Sequence, residues 1–285
     1  MKKIWFITGC STGLGRELAL YAADQGDTVV GTLRSEDQKI AFDQERPGQT
    51  FGVIMDVTKP EQIPPAVNFA LEQFGKVDVL VNNAGYGSLG PVEEVTEEEM
   101  FRQFDVNVYG CVRMIQAVLP GMRAQQSGHI LNITSIAGLN GFPGVGIYNG
   151  SKFALEGIGE ALAAEVRHLG IHVTNIEPGP FRTDWAGRSA TFSTSEIEDY
   201  QATAHRNMES IQGVSGKQVG SPLKAAKAMF DVTQVDQPPV HLPLGRAAYK
   251  RVRIKLDEFA KEVDQFEYIG LPTDYTEEEL KELDG

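Results

Sequence analysis

The stretch Ile4-Trp5-Phe6-Ile7-Thr8-Gly9-Cys10-Ser11-Thr12-Gly13-Leu14-Gly15 decides the fold. Its apolar start reads as a short buried strand. Glycines follow, and Leu14, Leu18 and Tyr21-Ala22 then recur at helical spacing as far as Gln25. Glycine lets a chain turn tightly and approach a pyrophosphate, and a helix N-terminus favours the anion. The spacing is G-x-x-x-G-x-G rather than G-x-G-x-x-G. By itself such a turn also reads as a plain tight turn. Lys2 and Lys3 before the apolar run imitate a signal peptide, but the run falls short of the roughly 7–15 apolar residues a signal needs.

The same alternation continues outward. Thr28–Leu33, Phe51–Met55, Val77–Val81, His129–Thr134 and Ile171–Ile176 read as strands. A helix follows Pro64-Pro65, where proline suits a first turn. Glu97–Ala124 reads as one long helix, opened by Thr96 and Glu99 at capping-box spacing. Tyr148–Leu169 is a helix rich in alanine and glycine. This rhythm predicts an α/β fold: a doubly wound parallel sheet with helices on both faces. After Pro178 the pattern changes. Residues 184–222 read as a polar loop region with a weak helical stretch near Glu196–Gln212. Ser221–Val232 is a helix and Val240–Leu244 a last strand. Residues 1–245 form one domain, and 246–285 a C-terminal helical extension with a basic first half and an acidic tail.

Composition excludes several classes. The 285 residues are 41% hydrophobic and 23% charged, as in globular chains. Lys and Arg number 26 against 39 Asp and Glu, a net charge of −13. That sign argues against nucleic acid and against an anionic membrane as partners. No run reaches the ~18 apolar residues of a membrane helix. The two cysteines, Cys10 and Cys111, make no disulfide framework and point to a reducing cytoplasm. Cys10 sits in the glycine-rich turn and reads as packing. The five histidines show no metal-ligand spacing, so no metal is expected.

Further along, Tyr148 and Lys152 stand four apart in Tyr148-Asn149-Gly150-Ser151-Lys152, on one helix face. An ammonium near a phenol lowers its pKa and suits it to proton transfer. As a lone motif the pair also reads as a surface contact. Ser135 ends one strand, and Asn82-Asn83-Ala84-Gly85 ends another at the same sheet edge, where parallel sheets bind ligands. At the end of the second strand no acid stands ready for the ribose hydroxyls of NAD. Arg34 and Ser35 follow it instead, which predicts NADP(H), with NAD(H) as the secondary cofactor. A plain surface arginine is the other reading of Arg34.

Together these pieces resemble the short-chain dehydrogenase/reductase family. They are TGCSTGLG at 8–15, NNAG at 82–85, Asn107 in DVNVYG, Ser135, YNGSK at 148–152 and PGPFRT at 178–183. The strand-end Leu-Arg and the long C-terminal part look most like the 17β-hydroxysteroid and retinol dehydrogenase-like group. The resemblance implies a Rossmann-type fold and carbonyl–alcohol chemistry. Tyr148 would be the general acid/base. Lys152 would lower its pKa and hold the nicotinamide ribose, and Ser135 would polarise the substrate carbonyl. Asn107 would anchor a relay water; a helix bend is the plainer reading there. Gly9, Ser11, Thr12, Gly13, Leu14 and Gly15 would cradle the pyrophosphate. Asp56 and Val57 would meet the adenine, with a strand-end turn as the alternative for Asp56. Asn83, Ala84 and Gly85 would line the adenosine side. Pro178, Gly179 and Thr183 would flank the nicotinamide.

Two departures stand out. Gly150 replaces the family's usual alanine or other small residue, and no basic residue lies inside the glycine-rich turn, so the NADP assignment rests on Arg34. Substrate contacts fall to Leu139, Phe142, Pro143 and Val145 and to Trp185, Phe192 and Tyr200, an apolar set with little fixed charge. That set predicts a lipophilic or aromatic ketone or aldehyde, against simple packing of the loops. The competing function is a cofactor-binding sensor or scaffold without turnover. Similar proteins pair through the two long helices. In the second of these Ala154, Gly157, Ala161 and Ala164 allow close approach, so a homodimer or homotetramer is expected; packing on the chain's own sheet is the alternative.

Overall fold

The computed structural model describes residues 2–194 and 196–284. In chain order its elements are β1 (Ile4–Ile7), α1 (Gly13–Asp24), β2 (Thr28–Leu33), α2 (Glu36–Glu45), β3 (Thr50–Ile54), α3 (Ile63–Phe74), β4 (Val79–Asn82) and β5 (Gly87–Leu89). Next come α4 (Glu97–Phe104), α5 (Gly110–Gln125), β6 (Gly128–Ile133), α6 (Gly146–Val166) and β7 (Ile171–Pro178). The chain ends with α7 (Trp185–Arg188), β8 (Ala190–Phe192), α8 (Arg206–Gly213), α9 (Pro222–Val232), β9 (His241–Leu244), α10 (Arg246–Gly270) and α11 (Glu277–Leu283).

Seven strands form one parallel sheet in the order β3-β2-β1-β4-β6-β7-β9. The order reverses between β1 and β4, and that switch point opens a crevice at the strands' carboxyl ends. The apolar strands are buried on both faces. Trp5, Ile7, Val29 and Val81 pack against α1 and α9 on one side. Phe6, Val30, Leu80 and Ile130 pack against α3, α5 and α6 on the other. The expected Rossmann-type doubly wound sheet is therefore present.

Three details depart from expectation. The long helix is interrupted by one π-helical turn at Asp105–Tyr109, which carries Asn107. Ser35 opens an unforeseen helix, α2, by accepting from Gln38 N at 3.4 Å; polar side chains masked its period. A second, two-stranded parallel sheet pairs β5 with β8. Its three-residue strands lie too far apart in sequence to show a pattern. The small sheet fastens the 184–222 region over the crevice.

Candidate active site

The crevice is a cleft of about 800 Å³ reaching from the glycine-rich turn to the β5–β8 sheet. Gly9 and Gly13 adopt φ of +73° and +65°, which other residues rarely tolerate. Gly15 serves packing rather than lining: a Cβ there would sit 2.2 Å from Asn83 Nδ2. Asn83 Nδ2 in turn donates to Thr8 O and Gly9 O at 2.9 and 3.0 Å, stitching the end of β4 to the turn. Thr12 leads into α1 with no side-chain cap and no acid in the first turn. The open amides and the dipole thus face the cleft. Cys10 is fully buried and donates to Ile7 O; burial raises its thiol pKa, as a packing role requires.

Ser11, Thr12, Leu14, Arg34, Asp56, Val57, Ala84 and Gly85 all line the same cleft. Arg34 is exposed at the end of β2 and makes no ion pair among the described residues. Ser35 does not reach the cleft; its hydroxyl is spent capping α2. Asp56 Oδ1 is engaged in the turn, accepting from Thr58 N and Oγ1 at 2.9 and 2.8 Å. The turn reading of Asp56 is thus observed, and the residue also borders the cleft.

At the other end, Ser135, Tyr148 and Lys152 line the cleft together with Pro178, Gly179 and Thr183. Ser135 is held by accepting from Ala137 N at 3.0 Å. Burial pushes the Tyr148 phenol up to about 12, with a hydrogen bond from Ser135 pulling the other way. Burial pushes Lys152 down to about 8, against the pull of Cys111 and Glu156. Its Nζ donates to Ile133 O at 2.8 Å and lies 5.8 Å from the centre of the Tyr148 ring. The expected lowering of the phenol pKa by Lys152 is not met here, because desolvation outweighs an ammonium committed to a strand carbonyl.

Asn107 is fully buried in the π-helical turn. Its Nδ2 donates to Tyr86 O and Ser151 Oγ at 3.0 and 3.1 Å, and its Oδ1 accepts from Tyr86 N at 3.1 Å. Both amide protons are committed, so the side chain clamps the 83–86 segment to α6. Gly85 fits against it: a Cβ there would lie 3.2 Å from Asn107 Oδ1 and 3.6 Å from Lys152 Nζ.

The substrate side is mixed. Phe142, Val145 and Trp185 line the cleft, and the Trp185 ring lies 5.3 Å from that of Tyr148. Leu139, Pro143, Phe192 and Tyr200 do not line it. Phe192 packs beside Leu89 and Met208, and Tyr200 donates to Glu93 at 2.6 Å. The expectation of little fixed charge fails, because Arg102, Asp184, Arg188 and Arg251 also line the cleft. They come from three separated segments, α4, the start and end of α7, and α10, which no local motif reveals. Asn149 was missed as well, though it stands beside Tyr148. It donates to Ala137 O and Asn140 O at 2.7 Å and accepts from Phe142 N at 3.1 Å, fixing the loop after Ser135.

Away from the cleft, Glu156, Glu177 and His241 bring ligating atoms within 4.8 Å of one another. Histidine spacing alone does not show this grouping. His241 Nδ1 lies 3.4 Å from Glu156 and 2.8 Å from Glu177, and these carboxylates push its pKa up to about 10. The imidazolium is the counter-charge to the two buried acids. No described helix is long and apolar enough to cross a membrane.

Comparison with known proteins agrees with this geometry. A family model described as short chain dehydrogenase matches residues 3–194. Oxidoreductase BOA17 of Botryotinia fuckeliana is 41% identical over 249 residues, covering 86% of this chain and 89% of that protein. Human 17-beta-hydroxysteroid dehydrogenase type 1 is 40% identical over 191 residues, covering 64% of this chain and 58% of its own length. A short-chain dehydrogenase structure from Streptomyces avermitilis superposes with a TM-score of 0.90 at 36% identity, covering 96% of this chain and 100% of that one. A Burkholderia phymatum family structure in complex with NAD superposes at 0.81 with 26% identity, covering 92% and 95%. With the glycine-rich turn, Ser135, Tyr148 and Lys152 meeting in one cleft of a parallel seven-stranded sheet, the chain belongs to the short-chain dehydrogenase/reductase family of oxidoreductases, alongside the 17β-hydroxysteroid and retinol dehydrogenase-like members.

Proposed function

We propose that this protein is an NADP(H)-dependent oxidoreductase interconverting a lipophilic or aromatic ketone or aldehyde and its alcohol. The observation that carries the reading is the shared cleft of Ser135, Tyr148 and Lys152 at one end and unpaired Arg34 at the other. The left-handed glycines, the uncapped start of α1 and Arg34 fit a phosphorylated dinucleotide in shape and charge. When bound, the nicotinamide supplies or accepts the hydride. Lys152 would hold its ribose, and Pro178, Gly179 and Thr183 would flank the ring.

The chain's residues handle the proton. A phenol held near 12 is protonated at neutral pH, the state a general acid needs to give a proton to a carbonyl oxygen. Ser135, fixed by Ala137 N, orients that oxygen. Phe142, Val145, Trp185 and Ile211 give the substrate an apolar wall. Two buried free cysteines suit a reducing cytoplasm. Pairing through the long helices is supported by exposure of Gly157, Ala161 and Ala164, which turn away from the sheet, together with Phe101 and Phe153.

NADPH oxidation against a panel of lipophilic ketones and aldehydes tests the reading. Tyr148→Phe is expected to lower turnover by at least roughly 100-fold with NADPH affinity kept. Tight binding without turnover across the panel would turn the reading toward a cofactor-sensing protein.

A further inference from the structure

Helix α10 carries an apolar seam that nothing among the described residues covers. It is 25 residues long, about 38 Å at helical rise. From Arg253 onward every described residue is exposed, and Ala248 is the only buried one. Yet Tyr249, Val252, Leu256, Phe259, Val263 and Phe266 recur at alternating spacings of three and four. That is the seam of a two-helix coiled coil. Apart from the half-buried Val252, its members are between 44% and 63% exposed. A projecting helix gains little from propensity alone and gains stability by burying such a face.

We infer that α10 docks antiparallel on α10 of a second copy of this chain. The seam reads the same in both directions about a point between Asp257 and Glu258. Turning a copy end for end sets Tyr249 level with Phe266, Val252 with Val263 and Leu256 with Phe259. Aromatic meets aromatic and valine meets valine. Charge selects the same arrangement. The first half carries Arg246, Lys250, Arg251, Arg253 and Lys255 without an acid. The second carries Asp257, Glu258, Glu262, Asp264 and Glu267 against Lys261 alone. An antiparallel pair lays the basic half of each copy along the acidic half of the other. A parallel pair sets like against like. An anionic membrane would repel the second half. This surface is separate from the long-helix faces of α4–α6, and the inference does not depend on the catalytic reading.

Cysteine pairing tests it, since native Cys10 and Cys111 are buried and do not compete. Val252→Cys and Val263→Cys variants of the full chain are oxidised separately and as a mixture. A disulfide needs Cα atoms within about 7 Å. In the antiparallel pair like positions lie about 16 Å apart along the axis and only the unlike ones meet. The expected result is a covalent dimer from the mixture and from neither variant alone. Cross-linking of each variant by itself, or of none, overturns the inference. So does pelleting of the wild-type chain with phosphatidylserine vesicles without a covalent dimer in the mixture. As a second measurement, Leu256→Glu with Phe259→Glu is expected to halve the sedimentation mass at unchanged turnover per chain. An unchanged mass would count against the seam.

Discussion

Arg188 donates through Nη2 to Thr12 Oγ1, joining the segment over the cleft to the mouth of α1 across 176 residues of sequence. The same guanidinium lies 3.1 Å from Asp184, one turn back in α7. It therefore stands where the phosphates of a dinucleotide would meet the helix N-terminus. Arg188→Ala is expected to raise the NADPH Kd roughly fivefold, for a partly exposed charge worth ~1 kcal/mol. Arg188→Lys would restore part of the loss, as a point charge without the fork. Fluorescence titration of the three proteins checks this; equal affinities would leave Arg188 as a purely structural tie.

In the proposed function Arg34 would meet the other end of the same ligand. No acid competes for it, and its backbone N–H is held by Gln38 Oε1 at 3.3 Å. Arg34→Ala is expected to weaken NADPH roughly 10- to 100-fold, the ~1.5–3 kcal/mol of a hydrogen-bonded charge. NADH affinity should stay where it was. Parallel loss for both cofactors would place the arginine in folding rather than selection.

Gly150 gives a stability test free of the chemistry. A Cβ at this helical position would meet only Phe104 Cζ at 3.6 Å, an ordinary contact. Glycine costs a helix interior about 1 kcal/mol relative to alanine. Gly150→Ala is expected to stabilise the protein by roughly 0.5–1 kcal/mol and raise Tm by a few degrees, with turnover retained. A stabilised protein that has lost turnover would show that the catalytic helix needs this flexibility between Tyr148 and Lys152.

What was legible in the sequence was what is local. The glycine-rich turn, the Tyr148–Lys152 spacing and the strand-end Ser135 each lie within a few residues, and the fold brings them together as expected. The strand rhythm was legible because both faces of the sheet are buried, so apolar runs are unbroken. Long-range relations were not. Arg102, Arg188 and Arg251 converge from separate elements, and their charge corrected a pocket that local composition made apolar. Nor does spacing report burial, and burial sets the Tyr148 pKa against the direction that Lys152 implied. The β5–β8 pair spans about a hundred residues with three-residue strands, too short for any period to show.

His241 supplies the last test, in which the sign is fixed by burial and charge. Its pKa near 10 lies above the ordinary 6.5 because Glu156 and Glu177 face it, with Glu160 at 3.4 Å on the outer edge. Between these values the folded chain keeps a proton that the unfolded chain has lost. The stabilisation is complete below pH 6.5 and is lost as pH rises through 10. Glu177, raised first by burial, acts in the same sense. His129 and His172, lowered first by burial, act oppositely, but only below about 6.5. Lys152 opposes only above about 8. The window from pH 6.5 to 8 lies between the ordinary and the raised His241 values, and Glu177 acts there in the same sense. One proton sets a limit of ~1.4 kcal/mol per pH unit, and solvent at a ring 40% exposed narrows the pH range over which it acts. Urea midpoints are expected to fall across this window for the wild type. His241→Gln should be less stable than the wild type at pH 6.5, because the two buried carboxylates then lose their cation. A wild-type midpoint that does not move would mean that the imidazole titrates normally and the carboxylates hold their own protons.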